Sequence, residues 1–302
     1  MHMDKVMRKN LVFVGIGAPR CGTTWVFECL NEHPEIFLPS IKETSFFSRN
    51  KHYKRGVEWY RTYFKDAPEN AVLGEFSTEY LTHPEVIERL LAINPNIKIL
   101  VCLRNPIDRC SSHYLYSRQT SLRGKSLRYA IETGHYAVGC SFYYRHLRAF
   151  FEHIPPENIH VSIMEEGMRD PKRYIQTIYK FLGVNETFVP ESLTKKINTN
   201  DQLNFKFPII HRVYMYRLTL RDYWWWEFFV NVCDRLRLSH VMYKISLWNH
   251  SRNSKTNQEL PVLSTEDRKL LHTMFYDDVK ALSKLLRRDL SIWGMDTEKF
   301  RN

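Results

Sequence analysis

A glycine-containing segment at residues 17–25 carries residue types that bind an anion. It has the sequence GAPRCGTTW and follows an apolar run at residues 11–16. A turn between a buried strand and a helix directs backbone N–H groups and the positive end of the helix dipole at a phosphate. The sequence therefore predicts a phosphate-binding loop, followed by a helix from Thr23 to Glu32. Its candidate ligand-binding residues are Arg20, Cys21, Gly22, Thr23, Thr24 and Trp25.

The same loop departs from that of a nucleoside-triphosphate enzyme. The spacing of Gly17 and Gly22 fits, but the lysine position holds Thr23, and the nearby cation is Arg20. The apolar run at 98–103 ends in Arg104, where such an enzyme would place an aspartate that helps to hold magnesium. A phosphosulfate carries less charge at the transferred group, so arginine and backbone donors can stabilise its bridging oxygen without a metal. We expect no metal, and a small-metabolite kinase remains the alternative.

A second anion site is predicted at residues 103–114, with the sequence LRNPIDRCSSHY. Arg104 leaves the carboxyl end of a strand, which is where open α/β sheets bind ligands. Ser112 lies about two turns further along the helix that Pro106 begins. The serine and the forked guanidinium could hold one phosphate together. Taken alone, the Arg-Asn-Pro sequence is equally typical of a simple helix start.

Together, these two segments resemble the sulfotransferase superfamily that uses 3′-phosphoadenosine 5′-phosphosulfate (PAPS), and bacterial and heparan-sulfate-like glycan members in particular. The resemblance implies that residues 20 and 22–25 hold the phosphosulfate, and that Arg104 and Ser112 hold the 3′-phosphate. Cys21 is interpreted as a packing or backbone-donor position, although Arg20 beside it could lower its thiol pKa. Residues 139–147 resemble a further family helix, and its Tyr143 is included among the donor-binding residues.

The resemblance also supplies a catalytic base. Residues 42–47, KETSFF, resemble the K-E-x-x-F-F sequence of glycan sulfotransferases, in which this glutamate, here Glu43, removes the acceptor proton. Arg20 is the second catalytic candidate, because it would stabilise charge on the leaving phosphate. The plainer alternative makes Glu43 a surface carboxylate paired with Lys42. The other candidate bases are His113, Glu79 and His83.

Residues 74–80 depart from the related G-E-x-S-P-x-Y sequence. Thr78 takes the place of its proline, and Phe76 the place of the lysine that heparan members carry. Ser45 and Ser48 replace a histidine and an aspartate around the Phe-Phe pair. These changes argue against a heparan-type acceptor and leave donor binding untouched.

Alternating apolar and helical segments predict an α/β fold, a P-loop-like parallel sheet flanked by helices in a single domain. The predicted strands are 11–16, 71–75, 98–103 and 159–164. The predicted helices after the first are 84–92, 106–118, 139–153, 174–182 and 265–286. The domain, 1–302, divides into a core at 11–183, an aromatic-rich helical segment at about 205–250 and a C-terminal helical part at 253–302.

The composition favours an anionic partner. Forty-four Lys and Arg residues against 33 Asp and Glu give a net charge of +11. No recognisable nucleic-acid-binding sequence accompanies this charge, so we expect no nucleic acid partner. The six cysteines show no CxxC spacing, and no 18-residue apolar run is present. We expect the protein to reside in the cytoplasm, or in the Golgi lumen if an anchor precedes this sequence.

The segment Tyr223–Phe229 is the most unusual stretch of the chain. Its sequence, YWWWEFF, lies among several arginines. Such a composition suits a peripheral membrane contact or a hydrophobic acceptor. The alternative is a helix packed over the sheet or in a dimer interface.

The sequence therefore predicts a sulfotransferase that moves a sulfuryl group from PAPS to an acceptor hydroxyl or amine on a glycan, lipid or small molecule. The third interpretation is a non-catalytic module that binds a nucleotide or an anionic glycan. The presence of Glu43 argues against such a module.

Overall fold

The computed structural model describes residues 11–118, 121–194 and 263–295. In these residues five strands form one parallel sheet in the order β2-β3-β1-β4-β5. The strands are β1 (Phe13–Gly17), β2 (Ile36–Phe37), β3 (Val72–Phe76), β4 (Lys98–Leu103) and β5 (Ile159–Ile163). The predicted α/β fold with a parallel sheet is confirmed.

Helices flank the sheet and fill most connections between its strands. They are α1 (Thr23–Asn31), α2 (Asn50–Tyr53), α3 (Val57–Arg61), α4 (Glu85–Ile93), α5 (Pro106–Ser117), α6 (Leu127–Glu132), α7 (Tyr136–Gly139), α8 (Tyr143–His153), α9 (Met164–Arg169), α10 (Pro171–Leu182) and α11 (Thr265–Leu286). Short 3₁₀ turns cover Thr62–Phe64, Tyr80–Thr82, Pro156–Asn158, Glu191–Thr194 and Ser291–Trp293.

The central strand β1 is buried along its whole length, and two glycines allow its close packing with β3. A Cβ added at Gly15 would lie 2.2 Å from the Phe76 ring, and one at Gly74 would lie 2.1 Å from the Phe13 ring. Each glycine therefore leaves the space that a phenylalanine of the neighbouring strand fills. This packing fixes the register of β1 beside β3 and so places the loops that follow them.

The predicted strands and helices are present, with ends that differ by at most two residues except in two helices, and the structure adds helices α2, α3, α6 and α9, which were not predicted. The helix predicted over 139–153 is confirmed over Tyr143–His153, as α8, but its predicted start is wrong, because Gly139 ends a separate helix, α7, and residues 140–142 separate the two. The helix predicted from Tyr174 begins earlier, at Pro171, where the Asp170 side chain accepts a hydrogen bond from the N–H of Arg173. The two-residue strand β2 was not predicted, since two residues show no periodicity.

The C-terminal helix α11 packs against α8. The carboxylate of Asp278 accepts hydrogen bonds from the N–H groups of Tyr144 and Arg145, at 2.9 and 3.1 Å. The rings of Phe142 and Phe275 meet edge to face with centroids 5.0 Å apart. The described residues belong to one compact unit, 1–198 with 263–302.

The segment Tyr223–Phe229 and the remainder of 205–250 lie outside the described residues. The predicted membrane or dimer contact, and the single-domain organisation of the whole chain, therefore stay predictions. In the part of the chain that the structure describes, no helix is both long and apolar enough to cross a bilayer.

Candidate active site

The phosphate loop is held at the centre of the sheet. The N–H of Ala18 donates a 2.8 Å hydrogen bond to the carbonyl of Cys102 in β4. On the other side, a Cβ at Gly17 would lie 2.6 Å from the carbonyl oxygen of Thr78, just after β3. Gly17 also has a φ of 136°, so both space and conformation require glycine there. The loop is thus fixed between the carboxyl ends of β3 and β4, where the strand order changes direction.

Helix α1 begins directly after this loop with its N-terminus available to an anion. Gly22 precedes it in the left-handed conformation, with φ 77°, and no described side chain caps the helix. The first N–H groups of an uncapped helix, together with its dipole, favour a phosphate or sulfate.

Arg20 joins the two predicted anion segments. Its Nε donates a 3.0 Å hydrogen bond to Oγ of Ser112 on α5. Its guanidinium also lies 5.5 Å from the centre of the Tyr116 ring. Burial and the nearby charges of Arg104 and Arg109 lower the pKa of Arg20, which nevertheless keeps its charge at neutral pH. The residue presents its positive charge beside the start of α1.

Arg104 is placed at the end of β4 by contacts to its backbone. The hydroxyl of Tyr143 donates a 2.9 Å hydrogen bond to the Arg104 carbonyl. Asn105 then caps α5, accepting from the N–H groups of Ile107 and Asp108 at 2.9 and 3.3 Å. Among the described residues the Arg104 guanidinium has no hydrogen-bond or ion-pair partner. This guanidinium is therefore free to meet an anionic ligand.

Tyr143 contacts the phosphate loop through Cys21, a residue of that loop. Both are fully buried, and the Cys21 sulfur is 3.7 Å from the Tyr143 hydroxyl. Burial raises the pKa of the Cys21 thiol to about 11, so the lowered pKa considered from the sequence is wrong. Cys21 packs as a neutral thiol, and Tyr143 positions Arg104. A direct contact of either residue with the donor stays a prediction.

Trp25 contacts two elements that follow β5 in the chain, helix α10 and the 3₁₀ turn Glu191–Thr194. Its Nε1 donates a 3.0 Å hydrogen bond to the carbonyl of Ser192, and its ring centroid lies 5.6 Å from that of Tyr174. The ring is partly buried. Its predicted contact with the donor also stays a prediction.

Arg109 is a buried cation that sequence reasoning did not single out. Its side chain is fully buried, and its described partners are the neutral groups Ser141 Oγ, His113 Nδ1 and the Ala137 carbonyl. Because arginine only donates, Nδ1 of His113 must accept and the imidazole is neutral. Burial and the charges of Arg109 and Arg20 lower the pKa of His113 to about 3. These constraints argue against His113 as the base.

Glu43 itself has a strained, left-handed backbone conformation, and its carboxylate makes several defined contacts. Its φ is 64°, and its N–H donates to the Phe76 carbonyl at 2.8 Å. Lys42 Nζ lies 2.6 Å from Oε1. The N–H of Thr78 donates to Oε2 at 2.7 Å, and the Thr78 hydroxyl lies 3.1 and 3.2 Å from the two oxygens. The ion pair with Lys42 is thus present, together with contacts that a freely moving surface carboxylate lacks.

A second carboxylate, that of Glu75, is fully buried and contacts the segment that carries Glu43. Glu75 in β3 accepts hydrogen bonds from the hydroxyls of Thr44, Tyr80 and Ser77. Burial raises its pKa to about 7. Thr44 directly follows Glu43 in the chain, so this network anchors the segment that carries the candidate base. In the sequence Glu75 is only the second position of the segment at residues 74–80, because burial, which distinguishes this carboxylate, is not visible there.

The remaining candidate bases, Glu79 and His83, lie on either side of the 3₁₀ turn Tyr80–Thr82. Glu79 accepts from Ser48 Oγ at 2.5 Å and lies 3.6 Å from Arg49 Nε. Burial opposes ionisation, but hydrogen bonds from Ser48 and Ser45 and the charge of Arg49 lower the pKa of Glu79. His83 Nδ1 is 2.8 Å from the Glu79 carbonyl and thus carries its proton on that side. Both side chains are partly buried.

The structure brings most predicted residues to one edge of the sheet. Arg20, Arg104 and Ser112 surround the start of α1, and the Glu43 segment meets the phosphate loop through Thr78. In the described part of the chain no group of three potential metal ligands occurs. The expectation that donor binding needs no metal stays a prediction.

Comparison with known proteins defines the class. The family model described as "Sulfotransferase domain" matches residues 12–207, which include both anion segments and the Glu43 segment. The chain belongs to this family. The match covers all five strands of the sheet.

Two curated relatives and one solved structure illustrate the likeness. Human heparan sulfate glucosamine 3-O-sulfotransferase 5 is 30% identical over 181 residues, covering 56% of this chain and 52% of that protein. The membrane-associated sulfotransferase kil1 of Dictyostelium discoideum is 36% identical over 125 residues, covering 40% of this chain and 26% of that protein. The matched region thus spans about half or less of these relatives. A sulfotransferase structure from Alicyclobacillus acidocaldarius has the same fold, with a TM-score of 0.66, 22% identity, and coverage of 95% of this chain and 99% of that one.

Proposed function

We propose that this protein transfers the sulfuryl group of PAPS to an acceptor hydroxyl or amine, with Glu43 as the base. The main support is one juxtaposition at the carboxyl ends of β1, β3 and β4. There, an uncapped helix start and two arginines lie next to the segment that presents the Glu43 carboxylate. The first two features suit a doubly anionic donor, and the carboxylate suits proton removal.

The reaction that we propose is an in-line displacement at sulfur. The acceptor oxygen or nitrogen forms the new bond to sulfur while the bond from sulfur to the bridging oxygen breaks. The bridging oxygen leaves with the electron pair on adenosine 3′,5′-bisphosphate, and Arg20 with the N–H groups of α1 stabilises its charge. Glu43 takes the proton of the acceptor. Arg104 and Ser112 hold the 3′-phosphate, so that the donor is fixed at both anionic ends.

The acceptor and the compartment are finer proposals. A glycan acceptor is supported by the curated 3-O-sulfotransferase relative and by the net charge of +11. A lipid acceptor stays an alternative, because the aromatic sequence of Tyr223–Phe229 suits contact with a hydrophobic molecule. The cytoplasm is supported by the five described cysteines, which are all buried free thiols.

A kinase of a small metabolite is the competing proposal, and nucleotide binding distinguishes it. A ligand that binds only the folded protein raises the melting temperature. Adenosine 3′,5′-bisphosphate should do so without added metal, and ATP should do so much less. Equal shifts for the two nucleotides, or a strict magnesium requirement, would contradict the sulfotransferase proposal.

A further inference from the structure

Thr78 makes a double contact with the candidate base. Its backbone N–H donates to Oε2 of Glu43 at 2.7 Å, and its hydroxyl lies 3.1 Å from Oε1 and 3.2 Å from Oε2. A carboxylate offers about four lone-pair positions, and these two donors use two of them. Thr78 therefore restricts both the rotation and the tilt of the carboxylate plane.

The same residue touches the phosphate loop through its backbone. The position that a Cβ would occupy on Gly17 is 2.6 Å from the Thr78 carbonyl oxygen, so the two backbones are in direct contact. One residue thus contacts the Glu43 carboxylate with its donors and the donor-binding loop with its carbonyl. A displacement of Thr78 would change the distance between base and donor.

Lys42, a further partner of Glu43, is less suited to fix an orientation. Its ammonium is a point charge on a flexible stem, and its side chain remains 20% exposed. The Thr78 N–H, in contrast, belongs to backbone that continues from β3, and the preceding N–H of Ser77 donates to the Gly15 carbonyl at 3.0 Å. The backbone of residue 78 therefore holds Oε2, and the Thr78 hydroxyl, carried by the same backbone, restricts the tilt of the carboxylate plane.

From these contacts we infer that Thr78 is a positioning residue, which holds the Glu43 carboxylate at a set distance and angle from the donor loop. The inference rests on the proposed role of Glu43 as base. Thr78 itself does not take the proton. A base misplaced by about 1 Å can lose about 10²-fold in rate while the donor is still bound.

Three variants test this role. Thr78→Val keeps the N–H, shape and size but removes the hydroxyl, so we expect unchanged affinity for adenosine 3′,5′-bisphosphate and a kcat lowered by about tenfold or more. Thr78→Ser restores the hydroxyl and should recover most of the turnover. Thr177→Val is the matched control, because it removes a hydroxyl that donates to the Tyr174 carbonyl within α10. It should leave kcat unchanged.

A double variant connects the effect to the base. If Thr78 acts through Glu43, Glu43→Gln with Thr78→Val should be no slower than Glu43→Gln alone. Wild-type kcat in Thr78→Val, no recovery in Thr78→Ser, or multiplying losses in the double variant would each overturn the inference. Loss of turnover in Glu43→Gln but not in Thr78→Val would overturn this inference and leave the base assignment intact. Full turnover in Glu43→Gln would overturn both.

Discussion

Arg20 and Ser112 are 92 positions apart in the chain, yet Nε of the arginine donates a 3.0 Å hydrogen bond to the serine oxygen. This contact ties the cation of the phosphate loop to the helix that follows Arg104. A donor with two separate anionic ends would be held by both segments at once. We therefore propose that the two segments form one binding site, so that changes in either should weaken binding of the same ligand.

Arg104→Ala should lower the affinity for adenosine 3′,5′-bisphosphate by tenfold or more. Its guanidinium has no described protein partner to lose, and charge-assisted hydrogen bonds contribute roughly 1.5–3 kcal/mol each. Titration calorimetry measures the affinity. Arg268→Ala is the control, since Arg268 is an exposed cation 3.6 Å from Asp108 near the start of α5. An unchanged affinity in folded Arg104→Ala would place the 3′-phosphate elsewhere.

Arg20→Ala should reduce both donor affinity and turnover at saturating donor. This arginine meets the phosphosulfate in the ground state and stabilises the leaving oxygen as charge develops on it. Calorimetry and initial rates on the same preparation separate the two effects. Arg20→Lys should retain more turnover than Arg20→Ala because it keeps the charge. A variant that loses affinity but keeps full turnover at saturation would assign Arg20 to binding alone.

Glu75 should make stability depend on pH. Its pKa is raised from 4.5 to about 7, so between these values the folded protein holds a proton that the unfolded chain releases. Stability from this group is therefore present below about pH 4.5 and is lost as pH rises towards 7, by roughly 3 kcal/mol in all. Glu75→Gln removes the titration.

Urea unfolding at pH 5 and pH 8 measures this effect. The free energy of unfolding of the wild type, minus that of Glu75→Gln, should be larger at pH 5 than at pH 8. His113, whose lowered pKa has the opposite effect, is present in both proteins and cancels. Glu157→Gln, at an exposed position, should show the same stability difference from wild type at both pH values. An equal difference for Glu75→Gln at both pH values would contradict the assignment.

The sheet could be predicted from the sequence because its strands are continuous apolar runs. The six residues of β4, for example, stand between a polar turn and Arg104, and only their first is not fully buried. The Arg20 and Arg104 positions followed from the same pattern, since the end of a parallel strand is where ligands bind. Local sequence was therefore enough to predict where the proposed donor site lies.

Other features depend on contacts between distant residues. Helix α7 ends at Gly139, but a single glycine within a helical pattern does not by itself mark a break, and β2 is too short for a pattern. The buried network of Glu75 and the hydrogen bonds from Thr78 to Glu43 join segments that are about 30 residues or more apart. The sequence showed only that a proline position held a threonine, and nothing local indicated what the threonine would touch.

Transfer of a labelled sulfuryl group from PAPS, measured in wild type and Glu43→Gln, tests the central claim most directly. An acceptor from cell extract is first identified through its labelled product by mass spectrometry. Glutamine keeps the size and hydrogen bonding of Glu43 but cannot take the proton. Glu58→Gln, in an exposed ion pair with Arg61, is the matched control and should keep full activity. The account predicts that Glu43→Gln binds the donor normally and loses about 10²–10⁴ in turnover. Turnover above about a tenth of wild type would contradict it.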